Sequence, residues 1–215
     1  MNCNSKRKEV CILLDPAHGL SVAGKRSVDG RLKEYAWSRR CIKRMLKRLQ
    51  DDGYRALTIT DSLEEIGLAN RVQICANYSS IYGKMKTVFL SVHCNAAGDG
   101  TKWTKANGWC VFVSNNCSDN SKKLAEYLYD EVESRGIHCR KPLPKQKYWQ
   151  QNFYVIKYTP CPAALVETLF MDNKEDCEYL LSEEGMNTFV DCYVKALEKY
   201  VDDICGISKT ENTIE

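Results

Sequence analysis

Val10-Cys-Ile-Leu-Leu-Asp-Pro-Ala-His-Gly19 sets five apolar residues in a row ahead of an aspartate and two breakers, Pro16 and Gly19. A run that short, closed by turn residues, reads as a strand buried on both faces. Outward from it, Trp37, Cys41, Ile42, Met45, Leu46 and Leu49 recur at helical spacing between Glu34 and Gln50, and Gly53 ends that helix. Tyr54 to Thr60 reads as a second strand, Leu63 to Tyr78 as a helix, and Lys86 to Val92 as a third strand. Trp109 to Val113 is the next strand, and Asp119 to Ser134 a helix with Leu124, Leu128 and Val132 on its apolar side. Phe153 to Lys157 and Ala164 to Leu169 read as further strands, and Glu183 to Val201 as the closing helix. Alternation of this kind predicts an α/β fold: a single domain with a mainly parallel twisted sheet of about six strands, flanked by helices on both faces. Its expected limits are 9–205, after a lead at 1–8 and before a polar tail at 206–215 expected to be disordered.

Composition fits one globular domain. The 215 residues are 44% hydrophobic, and no stretch reaches the apolar length of a transmembrane helix. Lys6-Arg-Lys8 is followed by no apolar segment of the secretory type, so the reading is synthesis in the cytoplasm without a signal peptide. Twelve cysteines are many for this length, yet none forms a Cys-x-x-Cys pair, which argues against a structural zinc finger. Cys11, Cys41, Cys75, Cys94, Cys110 and Cys192 fall in apolar-periodic segments, where a free thiol acts as a small hydrophobe, and the thiols are expected to be mostly reduced. Cys94 follows His93, and strand alternation turns it to the opposite face.

Charge is uneven. Residues 1–105 carry a net +9 and residues 106–215 a net −6. Arg39, Arg40, Lys43, Arg44, Lys47 and Arg48 repeat along one helix face. Such a stripe is either a solvated outer face or a hold on an anionic polymer or lipid surface. No aromatic interleaving accompanies it, so nucleic acid is not an expected partner.

Only three histidines occur, and His18 and His93 both follow strands. In open parallel sheets the ligand crevice lies beyond the carboxyl ends of the strands. Glu34 opens the helix after the first strand, so it belongs to the same edge. Two imidazoles and a carboxylate are a set that holds a catalytic zinc while leaving one position open to water. Glu167 sits in the apolar run Ala163-Ala-Leu-Val-Glu-Thr-Leu-Phe170, where a carboxylate is costly without a task or a partner. Each residue taken singly has a plainer reading: a hydrogen-bonded histidine at a strand end, or an ordinary exposed helical glutamate. His138 stands beside Arg140 and Lys141 and reads as solvent-facing.

Asp15-Pro-Ala-His-Gly19, Glu34, Ser91-Val-His-Cys-Asn95 and Pro162-Ala-Ala-Leu-Val-Glu167, in that order, resemble the zinc-dependent N-acetylmuramoyl-L-alanine amidases of the amidase-3 type. The likeness runs from about residue 9 to 202 and includes Arg71 to Asn77. It implies one zinc per chain on His18, Glu34 and His93, with Glu167 as the catalytic carboxylate. It also implies hydrolysis of the peptidoglycan amide between N-acetylmuramic acid and L-alanine, the activity of a cell-wall lysin. A zinc amidohydrolase acting on a soluble acyl-amino acid or peptide, and a wall-binding module without catalysis, are the competing readings. Asp15 is expected either to orient a ligand histidine or to cap the loop after its strand. Asn95, Tyr148 and Trp149 are the candidate substrate contacts. The last two lie in 138–151, an insertion relative to many members that reads as a loop stiffened by Pro142 and Pro144.

Overall fold

In the computed structural model, which describes residues 3–207, six strands form one sheet in the order β2-β1-β3-β6-β4-β5. The strands are β1 (Cys11–Pro16), β2 (Arg55–Thr58), β3 (Thr87–Asn95), β4 (Cys110–Val113), β5 (Trp149–Gln150) and β6 (Ala163–Phe170). Every pairing is parallel except β4 with β6. The helices are α1 (Cys3–Arg7), α2 (Glu34–Asp51), α3 (Leu68–Tyr82), α4 (Asp119–Glu133), α5 (Tyr154–Tyr158), α6 (Lys174–Leu181) and α7 (Glu183–Ile204).

Strand alternation divides the core in two. Ile12, Leu14, Leu90, Val111 and Val166 face one side, where they meet apolar residues of α2, α4, α6 and α7. Cys11, Leu13, Phe89 and Leu165 face the other, against Cys75 of α3 and Val155 and Ile156 of α5. Helices therefore cover both faces, which is why the first strand is apolar at four successive positions, Cys11 to Leu14, rather than at alternate ones. No helix among the described residues is long and apolar enough to cross a membrane.

Several elements differ from the sequence reading. Phe153 to Lys157 is not a strand: α5 starts at Tyr154, and the edge strand is Trp149–Gln150, inside the segment expected to be loop. Short apolar runs suit either state. The helical signal was Tyr154 and Tyr158, four apart and exposed with ring centroids at 4.7 Å, over buried Val155 and Ile156. The second long helix begins at Leu68 rather than Leu63, because the preceding residues pack on the loop after β1. A Cβ at Gly19 would lie 2.1 Å from the Glu65 backbone nitrogen, so that approach requires glycine. The helix α6 went unread; Asn173 caps it by accepting from the Asp176 N–H. The expected lead contains α1, and of the expected disordered tail, residues 208–215 lie outside the described residues.

Candidate metal centre

The loop after β1 carries His18, and it is tied from two helices. Ser38 of α2 accepts from the Ala17 N–H at 3.0 Å and donates to the Val92 carbonyl at 2.6 Å. Arg39 donates to the Ala17 carbonyl. Arg71 of α3 is buried; it donates to Asp15 Oδ1 at 2.6 Å, to the Pro16 and His18 carbonyls, and to Glu65. These bonds hold His18 at φ +45°, a left-handed conformation that His18 and Leu169 alone adopt among the described non-glycine residues. Backbone strain of this kind persists where surrounding contacts over-determine it, and here it sets the direction of one imidazole.

Glu34 opens α2 at the same edge, and His93 lies near the end of β3. Glu34 Oε1 accepts from the Cys94 N–H at 3.2 Å and lies 3.0 Å from His93 Nδ1; Oε2 lies 3.5 Å from His18 Nε2. One ligand atom from each of the three residues falls within 4.8 Å of the others. Glu167 is the register partner of His93 on β6. Its Oε2 is buried without a hydrogen-bond partner, as is Oε2 of Glu34.

The hydrogen-bond network assigns the His93 tautomer. Ser91 Oγ is 2.7 Å from Asp15 Oδ2, a carboxylate paired with Arg71, so the single hydroxyl proton goes to Asp15. Ser91 then accepts from His93 Nε2 at 3.1 Å, which in the neutral imidazole leaves Nδ1 with its lone pair toward Glu34 and in the protonated one puts a proton there. A bare lone pair facing a carboxylate at 3.0 Å is repulsive unless a proton or a metal cation lies between them. The donor set, the short spread and the orphaned Glu34 oxygen all fit a metal cation. Asp15 thus orients His93 through Ser91, one of the two roles open to it on the sequence.

Electrostatics separate the four groups. Burial drives His18 down to about 4, against the pull of Glu34, so it is a neutral imidazole near neutral pH. His93 is opposed by burial too, but the bond and charge of Glu34 outweigh it and raise it overall. Burial works to raise Glu34, yet the His93 bond and the two histidines hold it below the usual carboxylate range. Burial pushes Glu167 up to about 7, with repulsion from Glu34 adding and His93 and Lys25 opposing.

His18, His93 and Glu167 line a cavity of about 240 Å³ whose wall also includes Lys25, Leu68, Phe153 and Tyr154. None of those last four has a role in the site on the sequence alone. Exposed aromatics at helical spacing were the available signal for Tyr154; Lys25 had none. Tyr148 and Trp149 do not line it. Trp149 stands against Phe112 on the far edge of the sheet and donates to the Arg140 carbonyl, and Tyr148 packs partly buried against the main core. Asn95 is also outside: its side chain accepts from the Ala96 N–H and meets Cys110. Cys94 faces the core, as strand alternation requires, and His138 is exposed beside Asn107. Eleven cysteines are described and none forms a disulfide; Cys75 and Cys161 approach within 3.5 Å.

The cationic stripe is largely engaged within the molecule. Arg40 and Arg44 pair with Glu183, Arg44 also bonds Asn187, and Arg48 pairs with Asp191, all on α7. Lys47 pairs with Asp51, and Arg39 holds the Ala17 and Ser62 carbonyls.

Known proteins resemble this chain in sequence and in fold. A probable cell wall amidase, LytH of Staphylococcus saprophyticus, is 26% identical over 94% of the chain. An uncharacterized protein, YqiI of Bacillus subtilis, is 24% identical over 89% of the chain and 84% of its own length. The chain spans 62% of that LytH protein and 49% of its Staphylococcus aureus counterpart. Among solved structures, an N-acetylmuramoyl-L-alanine amidase of Clostridium difficile 630 superposes with a TM-score of 0.78 at 21% identity, covering 91% of this chain and 98% of that one. The catalytic domain of CwlV from Paenibacillus polymyxa superposes at 0.76 with 19% identity, covering 90% and 98%. The family model described as N-acetylmuramoyl-L-alanine amidase matches residues 12–199, nearly the whole of the domain built above, and the chain belongs to that family.

Proposed function

We propose that this chain is a zinc-dependent peptidoglycan amidase that cleaves the bond between the lactyl carbonyl of N-acetylmuramic acid and the L-alanine of the stem peptide. The observation that carries the reading is the convergence of His18, Glu34 and His93 beside an unpartnered Glu167 oxygen. His18, Glu34 and His93 would hold the metal. When bound, zinc supplies Lewis-acid polarisation of the scissile carbonyl and a water acidified to a pKa of about 7.

The chain's own residues do the rest. Glu167 Oε2 has no competing donor, so it is free to accept the proton of the attacking water. Its apolar setting raises its affinity for that proton, while nearby positive charge opposes the shift. The same carboxyl can then deliver the proton to the departing alanine nitrogen; such acid–base work is worth about 10²–10⁴-fold. Glu34, held by the Cys94 N–H, and His93, held through Ser91 by Asp15, keep fixed directions throughout. Mass spectrometry of peptidoglycan digests tests the bond: the products should be stem peptides with a new L-alanine amine and intact glycan strands. Shortened glycans or cleavage inside the stem would refute the assignment.

A further inference from the structure

A groove of about 330 Å³ adjoins the metal cavity, and Lys25 lines both. Lys25, Arg26 and Lys33 contribute its charge, with Leu20, Val22 and Tyr35 beside them and no carboxylate in its wall. None of the three cations makes an ion pair or side-chain hydrogen bond with a described residue. The loop's one carboxylate, Asp29, is turned away to Ser27 and Arg31, each at 2.7 Å. The backbone fixes the three relative to the metal ligands. Arg26 and Lys33 form an antiparallel bridge, and the Lys25 carbonyl accepts from the Glu34 N–H at 3.0 Å. Lys25 also feels the charge of Glu34 and Glu167 across the cavity, but Arg26 and Lys33 face only the groove. A cationic surface without ion pairs at the mouth of a catalytic cavity selects an anionic ligand.

We propose that Lys25, Arg26 and Lys33 form a shelf that binds the carboxylates of the stem peptide, so that the chain prefers stems with free carboxyl groups over amidated ones. This rests on the amidase reading, which puts the scissile amide at Glu167 and leaves two directions for the substrate. The glycan side is uncharged once its lactyl carboxyl is in amide linkage, whereas the peptide side carries carboxylates. Charge complementarity therefore assigns the peptide to the shelf and the sugar to the rest of the cavity wall, which carries the exposed Tyr154. Wall-polymer phosphate shares the anion chemistry but need not enter the cavity that Lys25 also lines.

The test is calorimetric titration of the intact protein with two synthetic stem peptides, one with free carboxylates and one carboxamidated, which needs no turnover. The wild type should bind the free acid about tenfold tighter at low salt, since each exposed charge pair contributes little alone. Lys25→Ala with Arg26→Ala and Lys33→Ala should abolish that preference and leave binding of the amidated peptide unchanged. A soluble wall-polymer phosphate should compete weakly. Equal binding of both peptides by protein that hydrolyses muramoyl amides would overturn the shelf alone, as would displacement of the acid peptide by that phosphate at equal concentration. Selective capture of the acid peptide by protein that cleaves no muramoyl amide would keep the shelf and remove the amidase reading.

Discussion

On α2, Arg40 and Arg44 share Glu183 and Arg48 meets Asp191, so that face is a seam between two helices distant in sequence. At Lys25, Arg26 and Lys33, a few residues upstream, no acid among the described residues forms an ion pair and the cations surround a groove with no carboxylate in its wall. In the sequence the stripe stands out, six charges at helical spacing, while the shelf residues resemble any basic loop. The fold reverses their meaning. A cation's availability depends on what the rest of the chain brings to it, and α7 brings acids to the stripe but not to the shelf. Arg71 completes the series as a cation fully committed to buried partners, holding the loop that presents His18.

That ordering predicts a graded response to substitution. Arg71→Ala should have the largest effect on stability, because it strands buried Asp15 without its countercharge. Breaking such a pair costs about 3–5 kcal/mol, which for this length lowers Tm by about 10 °C. Arg71 is a positioning residue, so zinc affinity should fall as well, and Arg71→Lys should recover part of the stability without full recovery of affinity. A variant with unchanged Tm would break the series at its first member.

Charge reversal on the stripe should give a smaller loss. Arg44→Glu places a carboxylate against Glu183, and a drop in Tm of about 2–4 °C is expected at low salt, shrinking as salt screens the contact. Adding Glu183→Arg should restore most of it, while binding of the acid stem peptide stays as in the wild type. If Arg44→Glu instead weakened that binding and left Tm alone, the two regions would have to exchange roles. For the shelf triple alanine the smallest stability change is expected, under about 1 °C, since exposed cations without partners have little to lose on removal.

The sheet was largely legible because a strand buried on both faces carries a continuous apolar run, and Cys11 to Leu14 in β1, Val88 to Leu90 in β3 and Ala163 to Val166 in β6 are such runs. His18, His93 and Glu167 were legible for a related reason: polar groups after or near the ends of apolar strands, and Glu167 within one, contradict their surroundings. Glu34, at a helix start, stood out only by its place in the order of motifs. What escaped depends on tertiary partners. Phe153-Tyr-Val-Ile156 suits strand or helix until packing against Phe112 and the α3 face decides it. Trp149 and Tyr148 are aromatic in a basic segment, but only the pairing of β5 with β4 shows that they belong to the far edge of the sheet. Lys25 lacked any local signal, since its importance comes from the backbone bond that sets it beside Glu34.

The measurement that reaches the central claim most directly is zinc stoichiometry taken together with turnover for the wild type and for Glu167→Gln. The account predicts about one zinc per chain in both proteins. Turnover of a muramoyl amide should fall by about 10²–10⁴-fold in the variant, and His93→Ala should lose both metal and activity. Full activity in metal-free wild-type protein, or a Glu167→Gln variant that turns over like the wild type, would contradict it.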